Sequence, residues 1–261
     1  MYTEVKPKQS LGQNFMVDAN VADKIVRAFE ITQNDHIVEI GPGTGVLTQR
    51  IQKLARKVTI IEIDQRLIPV LKQKFEHLSN VEIIHQDFLT FDLSGFNETI
   101  RLVGNIPYHI TSPIFFHTIE YRHRVEDMTL LIQKEVAERM VAKPGTKDYG
   151  ILSVVAQCYS TVKLLCRVSP HVFAPAPKVD SALIRWTFHQ ENEQQIDNHN
   201  FFRLLVRTAF NQRRKMLRVS LKKWLAHRSI EFDLKQRPEE LSVSEWIRLY
   251  RQIVGAKAFT P

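Results

Sequence analysis

Three alternating glycines, Gly41, Gly43 and Gly45, follow an apolar run ending at Ile40, and this junction limits what the chain can become. Ile37, Val38 and Ile40 suit a strand buried on both faces. The glycines let the backbone turn tightly and lie against a ligand where a Cβ would collide. From Leu47 the apolar spacing turns helical. Strand, glycine turn and helix in that order build the ligand crevice of an α/β sheet. A dinucleotide fold wants glycine at the first, third and sixth places, and the sixth here is Val46. The plainer alternative is a strand-to-helix turn that holds nothing.

Glu39 stands just before the turn, so the pattern reads Glu39-x-Gly41-x-Gly43-x-Gly45. It resembles motif I of the S-adenosylmethionine-dependent methyltransferases, which would set the acid near the cationic methionine end. Further strands are expected over Val58–Ile63, Val81–Ile84, Arg101–Gly104, Met128–Ile132, Ser153–Tyr159 and Ser181–Phe188, making seven with the first. Helices are expected over Val46–Leu54, Leu67–Phe75, Ile110–Ile119 and Lys134–Val141. Glu62, 21 residues beyond Gly41 at the end of the second strand, is placed to accept two hydrogen bonds from a ribose diol. Its neighbour Asp64 is read as pointing away. Asp87 ends the third strand and either accepts an adenine amino group, with Phe88 lining the ring pocket, or caps the next turn. Ahead of the first helix, Gln13, Asn14 and Phe15 either lie over the bound ligand or belong to a loose tail.

The fourth strand ends in Asn105-Ile106-Pro107-Tyr108. An exocyclic aromatic amine is a poor nucleophile because its lone pair is delocalised into the ring. Two acceptors aimed at its N–H groups bias it toward the geometry of attack. The Asn105 side-chain carbonyl offers one, and the backbone carbonyl of Ile106 the other. Pro107 keeps the preceding residue out of helical geometry, and Tyr108 can stack on the base. Transfer from a sulfonium then needs positioning and exclusion of water rather than a general base. A base must leave its stack to enter such a pocket. Phe173, in a loop stiffened by Pro175 and Pro177 and denied regular pairing, is the candidate second wall; otherwise it is a hydrophobic plug.

Charge divides the chain. Residues 190–261 carry 14 Lys/Arg against 8 Asp/Glu, and the first 189 carry 22 against 20. Nine basic residues and no acid lie between Arg203 and Arg228. Arg213, Arg214, Lys215, Arg218, Lys222 and Lys223 are expected along one helix, Arg213–Leu225, where several share a face for phosphates; the bland alternative is a solvated surface. Glu191–Asn200 reads as a linker, which divides the chain into a catalytic domain, 1–189, and a helical substrate-positioning domain, 190–261. Cys158 and Cys166 read as core thiols, which points to a reducing cytoplasm. The N-terminus lacks the apolar core of a secretion signal, and no run is long enough for a membrane. No metal site is expected, and a monomer is the default.

These residues together resemble one family, the ribosomal RNA adenine N6-dimethyltransferases. SLGQNFMVD (10–18), VEIGPGTG (38–45), IEID (61–64), HQDFL (85–89), GNIPYHITSPI (104–114) and VFAPAPKVDSALI (172–184) have counterparts there, and FFRLLVRTAFNQRRKMLRVSL (201–221) resembles the branch acting on small-subunit rRNA. The resemblance implies a class I, Rossmann-like, seven-stranded methyltransferase domain with a small C-terminal all-helical domain. S-adenosylmethionine is its implied cofactor, held by residues including Ile63 beside Glu62. The implied reaction is dimethylation of two adjacent adenosines in the 3′-terminal hairpin loop of 16S rRNA, during maturation of the small ribosomal subunit. Loss of this activity in bacteria would confer kasugamycin resistance. The alternatives are the macrolide-resistance branch, acting on large-subunit rRNA, and a mainly non-catalytic small-subunit assembly factor.

Overall fold

The computed structural model describes residues 5–192, 195–226 and 229–255, in two compact units. The first comprises residues up to 137 together with 163–188. Its strands are β1 (Phe15–Met16), β2 (His36–Ile40), β3 (Lys57–Glu62), β4 (Val81–His85), β5 (Ile100–Asn105), β6 (Val125–Gln133), β7 (Ser160–Val168), β8 (Phe173–Ala174) and β9 (Ser181–Phe188). Seven form one sheet in the order β4-β3-β2-β5-β6-β9-β7, and β1 pairs with β8 separately. The ladders from β4 through β6 are parallel, and β9 runs antiparallel to β6. All five residues of β2 are buried, as the central place of that strand demands.

Helix α1 (Ala19–Phe29) precedes β2, and the crossover helices are α2 (Thr48–Ile51), α3 (Ile68–Phe75) and α4 (Thr111–Glu120), followed by α5 (Lys134–Met140) after β6. Asp18 caps α1 by accepting from the amides of Asn20 and Val21. The first crossover helix is shorter than Val46–Leu54, which the structure divides between α2 and flanking turns.

The second unit comprises residues 138–162 and 189 onward. It contains α6 (Ile151–Tyr159), α7 (His199–Asn211), α8 (Leu217–Ser220), α9 (Lys222–Leu225) and α10 (Val243–Gly255). The compact units therefore do not follow a single cut at 189/190. The segment expected as a strand over Ser153–Tyr159 is α6, and the strand follows it as β7. ILSVVAQCY buries Ser153, Val154, Val155, Ala156, Cys158 and Tyr159; a short apolar run buried this thoroughly has no periodicity to distinguish helix from strand. Ser153 Oγ accepts from Gly150 N–H at 2.9 Å and fixes the start of the helix. The helix then packs on α7 and α10. Tyr149 donates to the Leu241 carbonyl at 2.8 Å, and the Phe210 and Trp246 rings meet at 5.9 Å between centroids.

The single helix expected over Arg213–Leu225 is broken. After α7 the chain turns through 212–216, and the first amides of α8 are taken from outside: Leu217 N–H donates to Gln236 O, and Arg218 N–H to Leu234 O. Leu217 and Leu221 are buried as packing residues. The expected linker, 191–200, gives way to α7 at His199, capped by Asn198; residues 193 and 194 lie outside the described ones.

Candidate active site

The glycine turn opens at the carboxyl end of β2, the edge where an α/β sheet holds ligands. Its glycines have different tasks. A Cβ on Gly43 would stand 3.1 Å from the Phe15 ring, so this glycine admits the N-terminal arm to the cavity wall. A Cβ on Gly45 would lie 2.5 Å from the Phe75 ring. Gly45 is thus a helix-packing residue, and it does not line the cavity, whereas Gly41 and Gly43 do.

Two buried carboxyls face that cavity. Glu39, at 1% exposure, accepts a hydrogen bond from Thr48 Oγ1 at 2.6 Å. Burial pushes its carboxyl up to about 7; the Glu62 charge adds to the rise and the Thr48 hydroxyl opposes it. Glu62 accepts from Gly43 N–H at 3.2 Å and from Asp64 N–H at 2.8 Å, while burial holds its carboxyl above the usual range. A buried carboxyl that ionises near neutrality beside an open cavity fits a ligand that brings positive charge. Ile63 also lines the cavity and is 49% exposed. Asp87 combines its two readings: Oδ1 accepts from Leu89 N–H at 2.9 Å, capping the turn, and the residue lines the cavity with Phe88.

β5 ends at Asn105 on the same cavity, followed along the wall by Ile106, Pro107 and Tyr108. The Tyr108 hydroxyl lies 2.6 Å from Ser181 Oγ, and burial raises its phenol, keeping it neutral. Asn105 Nδ2 donates to the main-chain carbonyl of Asn14 at 3.1 Å, which assigns the Oδ1 end as the acceptor for a substrate. Sequence reading missed the role of Gly104, where a Cβ would stand 2.7 Å from Ile40 O. A glycine inside a strand was the available signal.

Gln13, Asn14 and Phe15 are ordered along the cavity wall rather than forming a loose tail. β1 joins β8 with Phe15 opposite Ala174 and Met16 opposite Phe173. The expectation that the proline loop lacks regular pairing is thereby corrected, because the arm supplies a partner for its first two residues. Phe173 is 5% exposed, belongs to the core cluster and lines the cavity.

The six basic residues expected along Arg213–Leu225 do not share one helix. Arg213 is in the turn and is committed internally: its guanidinium donates to Lys147 O at 2.7 Å and Thr146 O at 3.0 Å, and it lies 3.7 Å from Glu239. Arg214 and Lys215 also lie in the turn, where Lys215 N–H donates to Gln212 O at 2.7 Å, while Arg218 is in α8 and Lys222 and Lys223 begin α9. Among the described residues no group of three or more His, Cys, Asp or Glu is placed to hold a metal, and no helix is long and apolar enough to cross a membrane.

Comparison with known proteins agrees with this geometry. The chain is 45% identical to ribosomal RNA small subunit methyltransferase A of Chlorobium phaeobacteroides, over 97% of this chain and 93% of the relative. It is 40% identical to the protein of that name from Clostridioides difficile, over 92% and 89%. A dimethyladenosine transferase from Plasmodium falciparum superposes with a TM-score of 0.77 at 28% identity, covering 90% of this chain and 95% of that one. The 23S rRNA methyltransferase ErmE gives 0.70 at 28% identity, covering 92% and 100%. A family model described as ribosomal RNA adenine dimethylase matches residues 4–253, and with relatives this similar over almost its whole length the chain belongs to that family.

Proposed function

We propose that this chain is an S-adenosylmethionine-dependent methyltransferase that places two methyl groups on N6 of each of two adjacent adenosines in the 3′-terminal hairpin loop of 16S rRNA. The observation that carries the reading is Asn105, oriented by the arm at the end of β5 in the same cavity as Glu39 and Glu62. Bound there, S-adenosylmethionine supplies an electrophilic methyl on a sulfonium. Glu39 would face its positive charge, Glu62 would accept from its ribose hydroxyls, and Asp87, Phe88 and Ile63 would hold the adenine end.

The protein's own share of the reaction is positioning. Asn105 Oδ1 and the Ile106 carbonyl accept the two N6 hydrogens and draw the amine lone pair out of conjugation. Tyr108, neutral and tied to Ser181, offers a ring face to the flipped base. Phe173 would close the other face, which requires its buried ring to turn further into the cavity. The apolar walls exclude water from the reacting amine. After methyl transfer the nitrogen carries an extra proton, which it loses readily, so no side chain is assigned as base.

Small-subunit rRNA is favoured over large-subunit rRNA because relatives at 39–45% identity bear the small-subunit name, while ErmE stands at 28%. We place the protein in the cytoplasm, acting as a monomer on the small subunit without a metal. Radiolabelled cofactor supplied with unmethylated small subunits and, separately, large subunits tests the reading. N6,N6-dimethyladenosine is expected from small subunits alone; label only in large subunits would move the chain to the resistance branch. Label in neither, with cofactor bound, would favour an assembly factor.

The second unit would position folded RNA through its basic side chains. Arg213 is excluded from that test because its reversal would break the unit's own bonds. Arg214→Glu with Arg218→Glu should weaken small-subunit binding by roughly tenfold at low salt and flatten its salt dependence. Unchanged affinity and slope would return these residues to solvent.

A further inference from the structure

Asp64 is nearly buried, at 5% exposure, yet lines no part of the cavity. It follows the end of β3 at Glu62, and its side chain turns to the N-terminal arm. Arg66 grips both carboxylate oxygens, Nε donating to Asp64 Oδ1 at 2.9 Å and Nη2 to Oδ2 at 2.5 Å, and Gln13 Nε2 also donates to Oδ2 at 2.9 Å. The other end of the Gln13 amide, Oε1, accepts from the Lys8 main-chain N–H at 2.8 Å. Arg66 also reaches the Lys6 carbonyl at 3.3 Å. Downstream, the arm is fixed by its pairing with β8 and by Val17 N–H donating to Val172 O at 2.8 Å. Asn14 lies between these two anchors, and its carbonyl is the acceptor that holds the Asn105 amide.

We propose that Asp64 is a positioning residue for methyl transfer, acting through Gln13 to fix the arm whose Asn14 carbonyl orients Asn105. This rests on the reaction proposed above. Asp64 N–H also donates to Glu62 Oε1, so one residue borders both the acid assigned to the ribose and the arm that sets the amine acceptor. The clamp has a fixed polarity. Gln13 must present its N–H end to Asp64 because its oxygen end is taken by Lys8, and Asp64 must accept from both Arg66 and Gln13. Detaching it frees the Asn105 amide to rotate and present N–H groups, rather than a carbonyl, to the substrate.

That polarity can be reversed in one way. Gln13→Glu alone sets two carboxylates against each other. Asp64→Asn alone sets an amide donor against an amide donor, since Arg66 occupies the remaining oxygen. The double variant, Gln13→Glu with Asp64→Asn, restores the contact between positions 13 and 64 with donor and acceptor exchanged, and loses the bond from Arg66 Nη2. Its carboxylate at position 13 accepts from the amide at position 64 and from Lys8 N–H, and the oxygen of that amide still accepts from Arg66 Nε. The test measures kcat on small subunits, cofactor affinity by calorimetry, and amide hydrogen exchange across residues 8–14 in the cofactor-free protein. Each single variant should lose roughly tenfold or more in kcat, as expected when reacting groups are misplaced by about 1 Å, and should exchange faster through the arm. The double variant should recover a large part of both, short of wild type because Arg66 keeps one of its two oxygens. Arm exchange that is unchanged in both single variants would overturn the clamp itself, whatever the substrate proves to be. Faster exchange with unchanged kcat would overturn the positioning role while leaving the proposed reaction standing. Exchange and kcat in the double variant no better than in either single variant would overturn the polarity. A wild-type protein that labels no small subunit would instead fail the proposed reaction, and the exchange measurement would still decide whether Asp64 holds the arm.

Discussion

Asn105→Ala should lower methyl transfer to small subunits by about 10³-fold, the scale seen when a preorganised group facing a reacting centre is removed. Cofactor affinity should change far less, because the buried carboxyls Glu39 and Glu62 are untouched. The loss has two parts. The variant removes the acceptor for the substrate amine, and it leaves the Asn14 carbonyl without its donor. Asn105→Asp separates them, since it keeps an acceptor but sets a carboxylate oxygen against the Asn14 carbonyl. It should therefore also be impaired. Single-turnover rates alongside cofactor titrations check both variants. Parallel loss of rate and affinity in the alanine variant would make Asn105 a cofactor-binding residue only, and a fully active aspartate variant would remove the Asn14 contact from the account.

The central sheet was legible because burial on both faces leaves a simple mark. Ile37–Ile40 and Val58–Glu62 are near-continuous apolar runs, and acids at their ends stand out. The place of Asn105 on the cavity wall was legible because it ends an apolar strand that runs parallel to the one before the glycine turn. Ser153–Tyr159 was not legible: a buried helix and a buried strand present the same run of apolar residues, and only packing on α7 and α10 decides between them. Arg213 misled for a different reason. Charge along the sequence suggests a solvated face, but a guanidinium with five donors can equally gather carbonyls from Thr146 and Lys147, which sequence spacing does not bring near it. The arm shows the same limit. Asn14 and Asn105 are 91 residues apart, and Gln13 and Asp64 are 51 apart. Local pattern can nominate each residue, while the hydrogen bonds that define their tasks depend on the assembled fold.

Glu39→Gln should act in opposite directions on the cofactor-free protein and on cofactor binding. In the unfolded chain the Glu39 carboxyl ionises near 4.5, and in the folded protein at about 7. Between those values the folded state binds the proton more tightly, so stability falls as pH rises from 4.5 to 7 and then levels. The difference corresponds to a penalty on the order of 3 kcal/mol above pH 7. Glutamine carries no such charge, so the variant should melt at a higher temperature than wild type at about pH 8 and lose that advantage near pH 5. Binding runs the other way. A cationic ligand favours the ionised carboxyl, so wild-type affinity should fall by up to about tenfold per pH unit below about 7, levelling at the weaker affinity of the neutral carboxyl. Binding at neutral pH should release a proton, visible as a calorimetric enthalpy that changes with the buffer's ionisation heat. The variant should bind S-adenosylmethionine roughly 10²-fold more weakly at about pH 8, the scale of losing one partner of a buried charge pair, with little dependence on pH. A variant that binds as tightly as wild type would detach Glu39 from the ligand's positive charge and leave its burial as a matter of the glycine turn alone.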